Sequence, residues 1–440
     1  MQSRLGGGTE RYILGLAKYQ AKSGHDVSIL DQRHFTSDQT ATLVNGFHIH
    51  RIKSPRIQIP FESNPGLFGL AYRIRFVLDI ALYALLCRVW ISTRSFDVVH
   101  IHDPLIAVVM LPFNRGLQKK TVFTQHGISY VLRSNSPSFI AYKAARIFVM
   151  KHVGKTISLN PRARMQFMKE TGLSEAEIIY IPTGVDVDEL NNLKLDSNVL
   201  HKYGLSSRIV LYVGRITEQK GLATLVSAGA ALIKEGALGA CEYVIVGPAE
   251  QFDARGRHSS YLESLRKVIS EADVTKYFHF LGALDSRDVF SLLSKCTVFV
   301  LPSLVENQPL VVPEAMVFGR PVVASRLPGT EIEILDGWSG LLFEAGNARH
   351  LAAKIRSVIV NQTLASELGR NARKYVERRL NLEHLAEQVT RAYLDVASAS
   401  TRADWVVTYE RRYPKRLDTW FEFVCGPSTA FLDSARSAVL

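Results

Sequence analysis

The stretch Val298-Phe-Val-Leu-Pro-Ser-Leu-Val-Glu306-Asn-Gln-Pro-Leu-Val-Val-Pro-Glu314-Ala-Met-Val-Phe-Gly-Arg-Pro-Val-Val-Ala-Ser325 decides the fold. It reads as a buried strand, a loop, a helix and a second buried strand, because two short apolar, β-branched runs are each bounded by proline. Glu306 falls in the loop beyond the first strand. Glu314 falls about a turn into a helix that Pro309 can open, since a first-turn proline forfeits no needed hydrogen bond. Both carboxylates can face one cleft.

The same rhythm extends outward from this stretch. Short β-branched runs alternate with longer amphipathic stretches from Val27 to Phe343, which is the pattern of βα units around parallel sheets. Strands are expected at Val27–Asp31, Val98–His102, Thr121–Thr124, Thr156–Ser158 and Ile178–Ile181, and again at Ile209–Val213, Tyr243–Val246, Thr297–Leu301, Val322–Ala324 and Gly340–Phe343. Each ends in Gly, Pro, His or a polar residue, and ligands of open parallel sheets bind just beyond those carboxyl ends. A chain of 440 residues is too long for one ordinary core. The stretch 186–207, rich in Asp, Asn and Ser, reads as a connection. The expected division is an α/β domain over 1–190, a second over 191–395, and a tail over 396–440 of unknown structure.

Beyond this rhythm, the motifs resemble the family-four glycosyltransferases of GT-B fold. The two glutamates, with seven residues between them, are followed by Ala-Met, a Gly and Pro-Val-Val-Ala-Ser. Upstream lie Val213-Gly-Arg215-Ile-Thr-Glu-Gln-Lys220-Gly, Ile245-Val-Gly-Pro and Phe280-Leu-Gly282; downstream lie Pro328-Gly-Thr-Glu and Asp336-Gly-Trp-Ser-Gly-Leu-Leu. The resemblance covers nearly all of residues 5–395. It implies two Rossmann-like, doubly wound parallel-sheet domains facing across a cleft, and a retaining hexosyltransferase that uses a nucleotide-diphosphate sugar without metal or further cofactor.

It also implies roles. Glu306 would accept hydrogen bonds from hydroxyls of the transferred sugar and Glu314 from the ribose, tasks that suit carboxylates because each oxygen accepts more than one bond. Arg215 and Lys220 would meet the leaving diphosphate, where fixed cations stabilise the growing charge. The donor would further touch Gly214, Gly282, Asn307, Gln308, Pro309 and Leu310. In the first half, Gly6-Gly7-Gly8 matches a glycine loop that approaches the donor phosphates, close contact being possible where side chains are absent. His126, in Val122-Phe-Thr-Gln-His126-Gly, matches the histidine that faces the transferred sugar, and His100 reads as a structural residue. No carboxylate of the first half matches a nucleophile, so the acceptor is expected to attack on the face the diphosphate leaves. Asp186-Val-Asp188 spells a metal motif of another fold, but it sits in the family's metal-free connecting segment.

Charge and apolarity add the partners. Residues 1–190 carry 23 basic against 14 acidic residues. That excess suits an anionic membrane surface or a lipid-linked acceptor. A nucleic-acid partner is not expected, because no binding motif accompanies the charge. The run Phe76–Ile91 is interrupted by Asp79 and Arg88 and is too short to span a bilayer. Pro65–Arg94 reads mainly as a core helix with an exposed basic face. Four scattered cysteines and the lack of a leader-like start suggest a reducing, cytoplasmic setting, with peripheral membrane contact.

Two departures from the family stand out. Only Met1–Leu5 precedes the glycines, where members have a strand. The first sheet is therefore expected to lack its central strand unless the start lies further upstream, and this motivates an alternative reading as a degenerate copy that binds nucleotide-sugar or a partner enzyme without turnover. Pro309 replaces a common glycine and removes one N–H that could meet the donor sugar. A helix over Leu385–Ala397 is expected to close the fold.

Overall fold

All ten expected strands form, and four more join them. A computed structural model describes residues 8–33, 41–53, 65–126, 137–236, 241–249, 260–397 and 404–408. In the first half the strands are β1 (Asp26–Arg33), β2 (Ala41–Val44), β3 (Phe47–Lys53), β4 (Val98–Ile101), β5 (Thr121–Gln125), β6 (Lys155–Ser158) and β7 (Ile178–Tyr180). In the second they are β8 (Ile209–Val213), β9 (Glu242–Val246), β10 (Phe278–Gly282), β11 (Val298–Leu301), β12 (Val322–Ser325) and β13 (Leu341–Phe343), with β14 (Asp404–Thr408) last. Two sheets result, ordered β2-β3-β1-β14-β4-β5-β6-β7 and β10-β9-β8-β11-β12-β13. Every pairing is parallel except β2 with β3. That hairpin turns at Asn45 and Gly46, both at positive φ, the pair whose twist suits a two-residue loop.

The central slot of the first sheet is not empty. β14 pairs in parallel with β1 from Asp26↔Asp404 to Leu30↔Thr408, and with β4 from Trp405↔Val98 to Thr408↔Ile101. In a doubly wound sheet this place belongs to the strand before the first glycine loop. Here the far end of the chain fills it. This corrects the expectation of a vacant slot. The correction reaches part of the 396–440 tail; residues 409–440 lie outside the described residues.

Helix α1 (Gly8–Lys22) covers one face of this sheet and packs against the Leu382–Val396 helix, which returns from the second half. Helix α2 (Pro65–Ser92) covers the other face. Its inward side chains Ile80, Tyr83, Ala84, Cys87 and Ile91 join Leu30, Ile101 and Phe123 in one apolar cluster, each fully buried side chain being worth about 1.5–3 kcal/mol. The outward face differs from expectation. Leu78, Leu82, Leu85 and Val89 recur at helical spacing and are exposed, so the described part of the solvent side of α2 is apolar. Arg88 is turned aside to donate to the Pro112 carbonyl at 3.0 Å, and beside it Phe113 is fully exposed on a turn with φ 61°. Arg73 and Arg75 fall in the part of α2 whose side chains are outside the described residues.

Candidate active site

The carboxyl ends of β8 and β11 bring the donor-side residues together. β8 leads into Gly214 and Arg215 and then a turn over Glu218–Lys220. That turn needs Gly221, whose φ is 62° and whose added Cβ would lie 2.0 Å from the Pro302 carbonyl of the neighbouring loop. The two loops are locked further by the Leu304 amide donating to Gln219 O at 2.8 Å. The contact sets Lys220 Nζ 2.5 Å from Glu306 Oε1, an oxygen that also accepts from Ser303 Oγ at 2.8 Å. Tyr212 donates to the Arg215 carbonyl at 2.7 Å, its phenol raised well above the usual range by burial and then by the Glu306 charge. Gly214 and Gly282 flank Gly247: the Gly214 amide donates to Val246 O and the Gly247 amide to Gly282 O.

The helix carrying Glu314 spans Val311–Val317. It begins two residues after Pro309, which therefore sits in the loop rather than opening the helix, with Leu310 at the cap. Glu314 is buried in its first turn. Burial raises its carboxyl above the ordinary value, and Arg11 on α1 opposes that by pairing with it. Arg11 escaped the sequence reading because nothing local marks one arginine of an amphipathic helix. The same face of α1 presents Gly8, where an added Cβ would stand 3.4 Å from Leu310 Cδ1. Gly7 lies outside the described residues.

The loop 306–310 also holds the two halves together. Asn307 Nδ2 donates to the His126 carbonyl at 2.8 Å. Gln308 makes a reciprocal pair with Thr183, accepting from its amide at 2.7 Å and donating to its carbonyl at 3.0 Å. Asn160 Nδ2 reaches Pro328 O at 3.0 Å. The side chains of Asn307 and Gln308 thus face the first half, which leaves the loop backbone as their means of meeting a donor.

On the opposite wall, His126 stands at the end of β5 with His102 at the end of β4. His102 Nδ1 lies 2.8 Å from His126 Nε2. His100, one turn of the pleat earlier, is held by the Tyr393 hydroxyl at 2.5 Å and Thr124 Oγ1 at 2.7 Å, which is the structural role expected of it. Burial lowers the His100 imidazole to about 3, and burial, with His100 and His126 nearby, holds His102 well below its ordinary value. Asp186 ties elements: it caps the Val187–Asn191 helix and accepts from Tyr19 OH at 2.8 Å and Lys18 Nζ at 2.5 Å.

One acid near the site went unread. Glu333, five residues past Pro328, is fully buried and neither carboxylate oxygen has a hydrogen-bond partner among the described residues. Burial first, then Glu306 and Glu314, raises its carboxyl well above 4.5. A glutamate beside the quoted Pro328-Gly-Thr-Glu gave no local hint of its direction.

Comparison with known proteins adds to this geometry. Residues 6–189 match the model described as "Glycosyltransferase Family 4", and residues 201–375 the one described as "Glycosyl transferases group 1". A phosphatidyl-myo-inositol mannosyltransferase of Mycolicibacterium smegmatis is 26% identical over 90% of this chain and 92% of its own. Among solved structures, sucrose-phosphate synthase from Thermosynechococcus elongatus superposes with a TM-score of 0.72 at 22% identity, covering 90% of this chain and 94% of that one. The HepE protein of Anabaena, solved with UDP and glucose, gives 0.64 at 17% identity over 89% and 97%.

Proposed function

Because the chain belongs to the family-four glycosyltransferases and is a nucleotide-sugar-dependent member of them, we propose that it moves a hexose, with retention and without metal, onto a lipid-linked or glycan acceptor at an anionic membrane surface. The observation that carries the reading is the junction of the two walls: Lys220 against Glu306 on one side, and Asn307 tied to the His126 carbonyl on the other.

The residues divide the work. Glu314 accepts from the ribose hydroxyls, and Arg11 pairs with that buried acid and opposes the effect of burial on it. Glu306, steadied by Ser303, accepts from the sugar hydroxyls. Lys220 and Arg215 hold positive charge where the diphosphate leaves, so they favour the transition state over the bound donor. The acceptor oxygen attacks the anomeric carbon on the face the diphosphate departs from, and a phosphate oxygen takes the acceptor proton. His126 bounds the sugar from the acceptor side. The loop backbone at Pro309 and Leu310 lines the donor, and Pro309 withholds the amide that a glycine-containing loop would offer.

Binding of UDP-glucose, UDP-galactose and GDP-mannose to the wild type and Glu314→Ala tests the donor site. At least one should bind, and Glu314→Ala should weaken it by about 2–3 kcal/mol, the worth of a charge-assisted bond lost in a buried site. Retained affinity would remove Glu314 from the site.

The membrane part rests on the apolar face of α2 with Phe113, on the most basic half of the chain. No helix among the described residues is long and apolar enough to cross a bilayer. An exposed apolar stripe beside basic charge suits a surface contact. Flotation with phosphatidylglycerol vesicles should recover the protein, and Leu82→Glu with Leu85→Glu should reduce partitioning at least about tenfold. A stable dimer with no vesicle binding would assign the stripe to a second copy instead.

A further inference from the structure

The segment that carries both donor glutamates is fastened to the first half at three points, and one of them serves no step of the reaction above. Arg11 pairs with Glu314, and Asn307 Nδ2 donates to the His126 carbonyl at 2.8 Å. Gln308 meets Thr183 twice, Oε1 accepting from the Thr183 amide at 2.7 Å and Nε2 donating to the Thr183 carbonyl at 3.0 Å. Thr183 lies in the linker after β7 and is only 5% exposed. A buried backbone N–H and C=O must both find partners, and here one carboxamide supplies the two. A carboxylate has no donor and an ammonium no acceptor, so a primary amide is the side-chain end that can do this alone.

What Gln308 grips is itself fixed. The Val185 amide donates to Leu380 O and the Leu382 amide to Val185 O, both at 2.9 Å, so the linker is braced from behind by the second crossing between the halves. Gly184 makes that approach possible, since an added Cβ would lie 2.5 Å from the Leu380 carbonyl. On the far side of the loop the turn at Gly329 packs just as closely, an added Cβ standing 2.1 Å from the Asn307 carbonyl.

The loop needs such an anchor at this point. Its first end is held within its own half by Lys220 and Ser303 on Glu306, and its last end enters the helix through the Glu314 amide donating to Leu310 O at 3.1 Å. Between them stands Pro309, which has no N–H with which to fix the backbone locally. We infer that Gln308 is the positioning residue of the donor loop: by holding both backbone groups of Thr183 it sets the path of Pro309 and Leu310 between Glu306 and Glu314. Its side chain turns to the linker instead of the donor, and the donor loop is shaped by the half opposite the one that carries it.

This role rests on the reading that the backbone at Pro309 and Leu310 lines the donor, so the contact and its consequence are measured separately. Gln308→Met keeps the side chain's length and removes both bonds. In the full chain, NMR should show the Thr183 amide exchanging at least about tenfold faster in that variant, while the Val185 amide, bonded to Leu380, keeps its protection. Unchanged exchange at Thr183, or equal acceleration at Val185, overturns the contact. Whichever of UDP-glucose, UDP-galactose or GDP-mannose the wild type binds should bind Gln308→Met about tenfold more weakly, because a loop no longer held has to be ordered by its ligand. A residue that only supported the fold would lower the melting temperature and leave the affinity of the folded protein unchanged, and that result would sink the assignment. Gln308→Glu at about pH 8 decides the matter if the Met variant does not fold. Its carboxylate accepts from the Thr183 amide but repels the Thr183 carbonyl, so donor binding should weaken there too, and wild-type affinity would overturn the role. Wild-type affinity in Glu314→Ala would instead refute the donor-site reading, with the exchange of Thr183 still deciding the contact.

Discussion

The two sheets solve the same problem with different pieces of chain. In the second sheet the central strand β8 is the first of its half in sequence, and it runs straight into the loop that bears Arg215 and Lys220. In the first sheet the matching place, between β1 and β4, is taken by β14 from beyond residue 400. The strand and the loop it should support are therefore joined by pairing alone. The second half can hold its catalytic loop by covalent continuity, whereas α1, with Gly8 and Arg11, is not continuous with the strand in that slot. Position in a sheet is set by which edges need partners, not by order in the chain.

The sharpest way to break this comparison is Val406→Pro, or removal of residues 398–440. Proline cannot serve in a central strand, and an empty slot leaves unpaired the facing edges of β1 and β4 over Asp26–Leu30 and Val98–Ile101. With each ladder bond worth about 1 kcal/mol net, the loss is on the order of the whole stability of a domain. Calorimetry should show the first half no longer melting cooperatively while a transition from the second half persists. A single unaltered transition would mean β14 contributes nothing to the slot.

The second test stays within one loop. Lys220→Ala should reduce kcat about a hundredfold and leave the melting of the first half unchanged, since the lysine's contacts lie within the second sheet's loops. An unchanged rate would take the lysine out of the mechanism.

What could be read in advance follows the same division. The ten strands built on β-branched runs, and the placing of Glu306 and Lys220 beyond strand ends and of Glu314 on a helix, were legible because the signal and the structure share a few consecutive residues. The hairpin β2–β3 was missed although Asn45-Gly46 announces such a turn. β10 was missed because only Phe280-Leu-Gly282 of it was read as a motif. β14 carried no usable signal: five residues of Asp-Trp-Val-Val-Thr do not say that their partners are Asp26–Leu30 and Val98–Ile101, far back in the chain. Arg11 on Glu314 and His102 on His126 are likewise products of tertiary pairing. On α2, the sequence did not show that Arg88 folds away to Pro112 and leaves exposed leucines beside it.

The smallest expected effect separates the halves by pH. Each keeps titratable groups uncharged in its interior, but of opposite kinds. In the first, His100 is lowered to about 3 and His102 is lowered well below 6.5, chiefly by burial. A depressed imidazole contributes stability that is intact above 6.5 and is lost as pH falls toward the folded value, because the unfolded chain takes up the proton first. In the second, Glu333 is raised well above 4.5. Its contribution is intact below 4.5 and is lost as pH rises, because the unfolded chain then releases the proton first. Each such group tilts stability by about 1.4 kcal/mol per pH unit within its window. Acid should thus weaken the first half and alkali the second. Glu333→Gln cannot ionise, so its transition should lose less stability than the wild type's as pH rises above 4.5, while the first half responds as before. Parallel pH profiles for the two proteins would show that Glu333 meets water or a partner, and that the second half owes its uncharged core to something other than burial.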